Sequence, residues 1–295
     1  MTTSRVLKEI YQRLYQRFGP QQWWPAQTRF EVMVGAILTQ NTNWNNVKKA
    51  VDNLRRAKLL IPQNLRNITE ADLSGFIRPA GYFKIKAKRL KNFVDFLFRE
   101  FQGNLDVMAQ QPLSELRKKL LTVNGIGPET ADSILLYALQ KPIFVVDAYT
   151  KRFLFRHNWI RSDADYENVQ HLFMDSLAAR HGLFNEFHAL IVRLGKELCA
   201  THPRCEGCPL MDLIYSLKFK CFLCHRSLLR PRERKRFHFG RKPRFRINDI
   251  LSAQIKGYGK RLDKRNLKKM FREEPNPDRW VCPECFHLLE SHFST

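Results

Sequence analysis

Asp147 is a lone carboxylate set between an apolar run, Ile143-Phe144-Val145-Val146, and an aromatic and basic helical run from Ala148 to Arg156. A carboxylate there can stabilise developing positive charge and orient a water, or it can be an ordinary N-cap; the local sequence leaves both open. Some twenty residues earlier, Val123-Asn124-Gly125-Ile126-Gly127 reads as a tight turn between two helices. Gly125 and Gly127 can take backbone angles closed to residues with a Cβ, and Ile126 plugs the gap between the helices. The second helix opens with Pro128 and carries Thr130. Its first amides and the positive end of its dipole offer a seat for a phosphate. Seven cysteines, all after residue 198 and mostly in close pairs, suit metal ligation in a reducing compartment better than disulfides.

The elements that must position these residues are helical. Residues 4–18 place Val6, Ile10, Leu14 and Phe18 on one face, and Gly19-Pro20 ends that helix. In Gln21-Gln22-Trp23-Trp24-Pro25 the proline disfavours helix, and two adjacent indoles cannot share one helical face, so at least one is exposed or lines a pocket. Residues 28–40 have the profile of a central buried helix. Asn41-Thr42-Asn43 starts another, containing Trp44, Val47 and Leu54. Further helices are predicted at 70–77, 84–101 and 112–121, and after the turn near 149–157, 165–181 and 184–198. With almost no strand pattern before residue 217, the predicted fold class is all-α with a small irregular appendix.

The chain has 295 residues, a formal net charge of +23 and a pI near 10.0, which call for a polyanionic partner, most simply nucleic acid. No apolar run approaches the roughly twenty residues of a membrane span, and the amphipathic N-terminus is not a secretory signal. A cytoplasmic, nucleoid-associated monomer is the expectation. From Lys218 onward there are 21 Lys or Arg against 8 Asp or Glu, so +13 of the +23 lies in the last quarter, interleaved with Phe237, Phe239, Phe245 and Tyr258. Phosphate contact is the simplest use of that charge.

Turn, interval and Val-Val-Asp together resemble the helix-hairpin-helix DNA glycosylases of the endonuclease III superfamily. Phe30 to Thr42 and Arg78 to Leu90 resemble that family's first barrel helix and its later Gly-Tyr/Phe…Lys-Ala turn, so the similarity spans roughly residues 5 to 212. The resemblance implies a bilobed fold: a helical barrel, 29–140, with its hairpin at 116–139, and a bundle built from 1–28 and 141–212. Residues 213–295 form a basic C-terminal module outside it. It also implies a double-stranded DNA substrate whose damaged nucleotide is flipped into a pocket, with Gln40 or its neighbour Asn41 filling the gap in the stack. Gly125, Ile126, Gly127 and Thr130 would grip the backbone, and Asp147 would be the catalytic carboxylate.

Bifunctional members carry a lysine in a Gly-x-Gly-x-Lys-Thr-Ala pattern; here it reads Gly125-Ile126-Gly127-Pro128-Glu129-Thr130-Ala131. Glutamate cannot form an imine, so the enzyme is expected to remove the base without cutting the strand. Trp-Trp-Pro paired with Leu-Thr-Gln-Asn-Thr and Arg-Pro-x-Gly-Tyr resembles the bacterial 3-methyladenine glycosylases of the endonuclease III type. An N-alkylated purine is cationic with a weakened glycosidic bond, and Trp23, Trp24 and Trp44 could hold it by stacking and cation–π attraction. Lys196 matches a pocket lysine of that group. Two other readings stay open: an endonuclease III-like enzyme for oxidised or mismatched pyrimidines, and a catalytically silent DNA-binding protein.

Endonuclease III carries a 4Fe-4S cluster on Cys-x6-Cys-x2-Cys-x5-Cys. This chain keeps Cys199, Cys205 and Cys208 with one spacing shortened and has Ile214 at the expected fourth position, so a cluster of that type is not expected. Cys221-x2-Cys224 and Cys282-x2-Cys285 each resemble a zinc knuckle, and together would make a four-thiolate zinc site joining the two ends of the C-terminal module. Pairing Cys205/Cys208 with Cys221/Cys224, or a cluster using Cys199, Cys205, Cys208 and Cys221, remains an alternative.

Overall fold

The structure is a computed structural model that describes residues 3–157, 159–160 and 163–211, together with the backbone of two short strands at 235–238 and 278–281. Between residues 3 and 211 the described chain is helical, with no strand. The N-terminal helix α1 (Thr3–Phe18) buries Val6, Leu7, Ile10 and Leu14. Helix α2 (Arg29–Leu38) is buried from Phe30 to Leu38 and is N-capped by Thr28, whose side chain accepts from the Glu31 amide. Glu31 is itself buried, and Arg55 of α3 (Trp44–Arg56) donates to it at 2.5 Å. A carboxylate in the core helix is thereby matched by a guanidinium.

Short helices α4 (Pro62–Asn67) and α5 (Glu70–Phe76) lead to a 3-10 turn, Arg78–Ala80, and then to the long helix α6 (Phe83–Phe101). Lys86 of α6 is buried, and its Nζ donates to the carbonyls of Leu38 at 2.9 Å and Ala80 at 2.8 Å. Burial first, then the nearby Arg89 charge, lowers its pKa to about 8. One amine thus ties the end of α2, where Gln40 and Asn41 follow, to the turn before α6.

Helices α7 (Leu105–Gln110) and α8 (Leu113–Leu121) precede the hairpin, and α9 (Pro128–Ser133) follows it. From Ile134 to Ala138 the backbone continues as a π-helix. The extended segment 143–146 is wholly buried, yet its polar backbone is served by side chains: Gln170 donates to the Phe144 carbonyl at 2.6 Å and the Tyr166 hydroxyl lies 3.3 Å from the Val146 amide. Helices α10 (Ala148–Arg156), α11 (Tyr166–Met174) and α12 (His181–Glu197) complete the helical part. Phe144 stacks on Phe173 of α11 with ring centroids 3.8 Å apart, and meets Phe184 and Phe187 of α12 edge-on.

The expected helices are present, with differences at short range. Helix α11 stops at Met174 rather than 181, and α4 and α7, six residues each, were not foreseen. Contacts divide the chain into two compact units. One comprises Phe18–Thr150 and Tyr166–Arg193; the other comprises Met1–Arg17, Lys151–Asp165 and Leu194–Thr295. Within the second, Arg152 and Arg156 donate to carbonyls of Gly195, Cys199, Ala200 and Thr201 and so close the end of α12. Also in that unit, β1 (Lys235–His238) pairs antiparallel with β2 (Asp278–Val281), with Lys235 opposite Val281. Cys221, Cys224, Cys282, Cys285 and Ile214 lie outside the described residues.

Candidate active site

The site is built within the unit that holds residues 18–150 and 166–193. Asp147 ends the buried extended segment and begins α10, and its Oδ1 accepts from the Thr150 amide at 2.7 Å. It is therefore an N-cap and also a candidate acid, since its second oxygen is left for other work. That oxygen, Oδ2, lies 3.5 Å from Nε2 of His188, and the Asp147 side chain is 13 % exposed. Burial by itself pushes the carboxyl up, but the His188 ring and the Thr150 amide outweigh it and hold the group below its ordinary value. Asp147 is thus an ionised carboxylate at neutral pH with little water around it.

His188, in the middle of α12, meets Tyr137 at its other nitrogen, Nδ1 hydrogen-bonding the phenol. Tyr137 sits in the π-helix, whose extra residue per turn swings a side chain away from the α-helical position, a device common at functional sites. Its ring packs on Trp24 at 5.3 Å between centroids. Trp24 in turn lies 5.0 Å from Trp23 and 5.1 Å from Trp44, and Trp23 lies 5.2 Å from Trp44. All three indoles are half-buried. The segment carrying the first two is not helical, so adjacent indoles do converge on one cluster. Gly35 of α2 allows the approach: a Cβ there would sit 3.2 Å from Trp24. A cavity of about 470 Å³ opens beside Trp23, Trp24 and Tyr137, with a mostly polar remainder that includes Gln22, Arg29, Gln140 and Glu186; Trp44 and Asp147 do not line it.

The turn between α8 and α9 forms, but only one of its two glycines takes a left-handed angle, since Gly127 is extended at φ −91°. Gly125 has φ +93°, and an added Cβ would lie 2.3 Å from Cγ of Arg89, so glycine is required twice over. Ile126 is buried, and Gly127 caps α9 without a side-chain bond, leaving the first amides of α9 for another acceptor. Gln40 donates to the Gly125 carbonyl at 3.0 Å and to Thr130 Oγ1 at 2.9 Å, while its own oxygen accepts from Arg89 at 2.5 Å. Its neighbour Asn41 is exposed at φ +51°. Of the two residues expected at the base stack, one is fastened to the hairpin and the other projects.

Behind the hairpin, Arg117 of α8 grips the fully buried Asp132 of α9 through two bonds, 2.7 and 3.1 Å, and Gln170 adds a third at 2.7 Å. Lys196 is exposed in the last turn of α12 and belongs to the other compact unit. Cys199, also in that unit, is buried with its sulfur 3.3 Å from an Arg156 nitrogen. Among the described residues no three His, Cys, Asp or Glu side chains gather as a metal site. Sequence reading passed over His188, Tyr137, Arg89 and the 69 % exposed Tyr82 at the head of α6. For Tyr82 a signal was available, an aromatic next to Gly81 in a lysine-rich stretch.

Residues 34–179 match the model of the HhH-GPD superfamily of base excision DNA repair proteins. A protein of Methanocaldococcus jannaschii that is named as a DNA repair glycosylase is 45 % identical over 213 residues, 72 % of this chain and 96 % of the relative. The structure is similar to that of Helicobacter pylori 3-methyladenine DNA glycosylase bound to 1,N6-ethenoadenine, with TM-score 0.57, 29 % identity, and coverage of 67 % of this chain and 98 % of that one. It also shares the fold of an endonuclease III trapped on DNA, with TM-score 0.62, 20 % identity, and coverage of 72 % and 96 %. No helix among the described residues is long and apolar enough to cross a membrane. With the hairpin, the capped carboxylate and the indole wall in place, these similarities settle the family: the chain belongs to the HhH-GPD superfamily of base excision DNA repair proteins and is a DNA glycosylase.

Proposed function

We propose that this glycosylase is monofunctional and removes an alkylated purine of the 3-methyladenine kind, with Asp147 as its catalytic carboxylate. The observation that carries the reading is a largely buried carboxylate facing His188, which Tyr137 joins to a wall of three indoles. As the glycosidic bond lengthens, positive charge grows on the deoxyribose, and Asp147 Oδ2 stabilises it and orients the attacking water. A cationic base stacks on Trp23, Trp24 and Trp44 without needing a dense hydrogen-bond set. The amides at the start of α9 take a phosphate, and Asn41 fills the vacated place in the stack while Gln40 braces the hairpin. At the position where a lyase would need an amine stands Glu129, exposed in the first turn of α9.

Incubation with methylated duplex DNA tests this directly. Free 3-methyladenine is expected, with strands intact until heat or alkali is applied. Scission without either treatment would overturn the monofunctional assignment, and release of oxidised pyrimidines alone would overturn the alkylated purine.

The C-terminal module is proposed to hold one zinc ion on Cys221, Cys224, Cys282 and Cys285. Support comes from the strand register, in which Val281, the residue before Cys282, lies opposite Lys235 and so returns the end of the module to its beginning. One zinc per chain is expected by metal analysis, lost in Cys282→Ser; a brown, iron-containing protein would contradict it.

A further inference from the structure

The geometry points to His188 and Tyr137 as a positioning pair that keeps the Asp147 carboxylate charged and aimed, an inference that rests on Asp147 being the acting carboxylate. His188 is only 5 % exposed. Its Nε2 is shut off from solvent and has no hydrogen-bond partner among the described residues. The group that faces it is Asp147 Oδ2, 3.5 Å away, beyond a full hydrogen bond and within ion-pair reach. Among the described residues, the carboxylate placed to complete this buried donor is Asp147. A proton on Nε2 would face the carboxylate, while Nδ1 is hydrogen-bonded to the Tyr137 hydroxyl, so each nitrogen has its own partner.

Tyr137 stays a neutral donor, because burial, followed by the charges of Asp147 and Glu129, raises its pKa well above the ordinary phenol value. Rings also meet the imidazole, Phe144 at 6.2 Å edge-on and Tyr137 at 6.0 Å. Among the described residues, the titratable groups facing His188 are Asp147 from the start of α10 and Tyr137 from the π-helix, with Glu129 acting on the latter. The pair has two consequences. An Asp147 stripped of its imidazole would be governed by burial and would tend to take up a proton. And since the Tyr137 ring also packs on Trp24, the orientation of the acid is tied to the wall that receives the base.

Amide substitutions separate the two nitrogens. His188→Gln keeps a donor where Nε2 stood, whereas His188→Asn keeps only a partner for Tyr137. The Asp147 carboxyl is followed by carbon-13 NMR of the free protein labelled at aspartate, with Asp147→Asn assigning its resonance. In His188→Asn its midpoint is expected to rise past the ordinary carboxylate value, and the acid limb of the single-turnover rate to move up by about one pH unit or more. His188→Gln recovers most of both shifts, and Tyr137→Phe, with its ring retained, moves the midpoint partway with little change in KM. An unmoved midpoint in folded His188→Asn, or equal rate losses in Asn and Gln variants with the acid limb fixed, would overturn the pairing. If His188→Asn fails to fold, the Tyr137→Phe midpoint decides in its place. The NMR titration needs no substrate, so if even the wild type releases no base from any damaged duplex, the proposed function fails while the coupling is still judged.

Discussion

Asp147→Asn is expected to slow base release about a thousandfold or more under single-turnover conditions, while binding to undamaged duplex and the thermal midpoint change little. A unit charge about 4 Å from a developing cation is worth roughly 4 kcal/mol at an effective dielectric of about 20. That corresponds to about three powers of ten in rate. The amide is nearly isosteric, and asparagine caps helices about as well as aspartate, so the bond from the Thr150 amide survives. The variant therefore loses charge without losing its place in the fold. A tenfold loss or less would mean that the carboxylate serves α10 and not the sugar.

The second large effect is structural. Arg117→Ala is expected to lower unfolding stability by about 3–5 kcal/mol, because Asp132 would remain as a fully buried carboxylate without its countercharge. Burial raises the Asp132 pKa, and the two Arg117 bonds are what chiefly oppose it. An acid whose folded pKa is raised is unpenalised below its unfolded pKa and loses stability as pH rises through the folded value. The deficit should therefore be smaller at pH 4.5 than at pH 7.5 in urea unfolding. Because the pair joins α8 to α9, the same variant should also weaken duplex binding. A variant as stable as wild type at both pH values would show the pair to be ornamental.

What could be read from the sequence was local. Gly125 and Gly127 announce a turn, although only at Gly125, with φ +93°, does the backbone angle itself demand glycine, and a carboxylate between an apolar run and a basic helix is visible in a single window. Trp23 and Trp24 stood out because Pro25 forbids burying both in one helix, and both line the cavity; Trp44 packs on them without lining it. His188 and Tyr137 did not stand out. They meet across 51 positions of sequence, and only the packing of α12 and the π-helix at Ile134–Ala138 aims them at each other. Nothing in the residue pattern of α9 foretells that change of pitch, since its apolar run suits an α-helix equally well. The fastening of Gln40 was hidden for a related reason, as its three partners come from the hairpin, α9 and α6. The short helices α4 and α7 were too brief to show a period and are marked only by Pro62 and Asn104 at their starts. Helix α11 ended early because Asp175 and Ser176 favour a turn over helix.

The most direct test of the central claim is the affinity for duplex DNA carrying a protonated pyrrolidine in place of one sugar, a stable likeness of the cationic intermediate, set against a neutral tetrahydrofuran site. Wild-type protein should prefer the charged ring by about a hundredfold or more, as transition-state mimics generally are preferred, and Asp147→Asn should show no preference. The same preference in both proteins would mean that the stabilising charge lies elsewhere and that Asp147 is a helix cap alone.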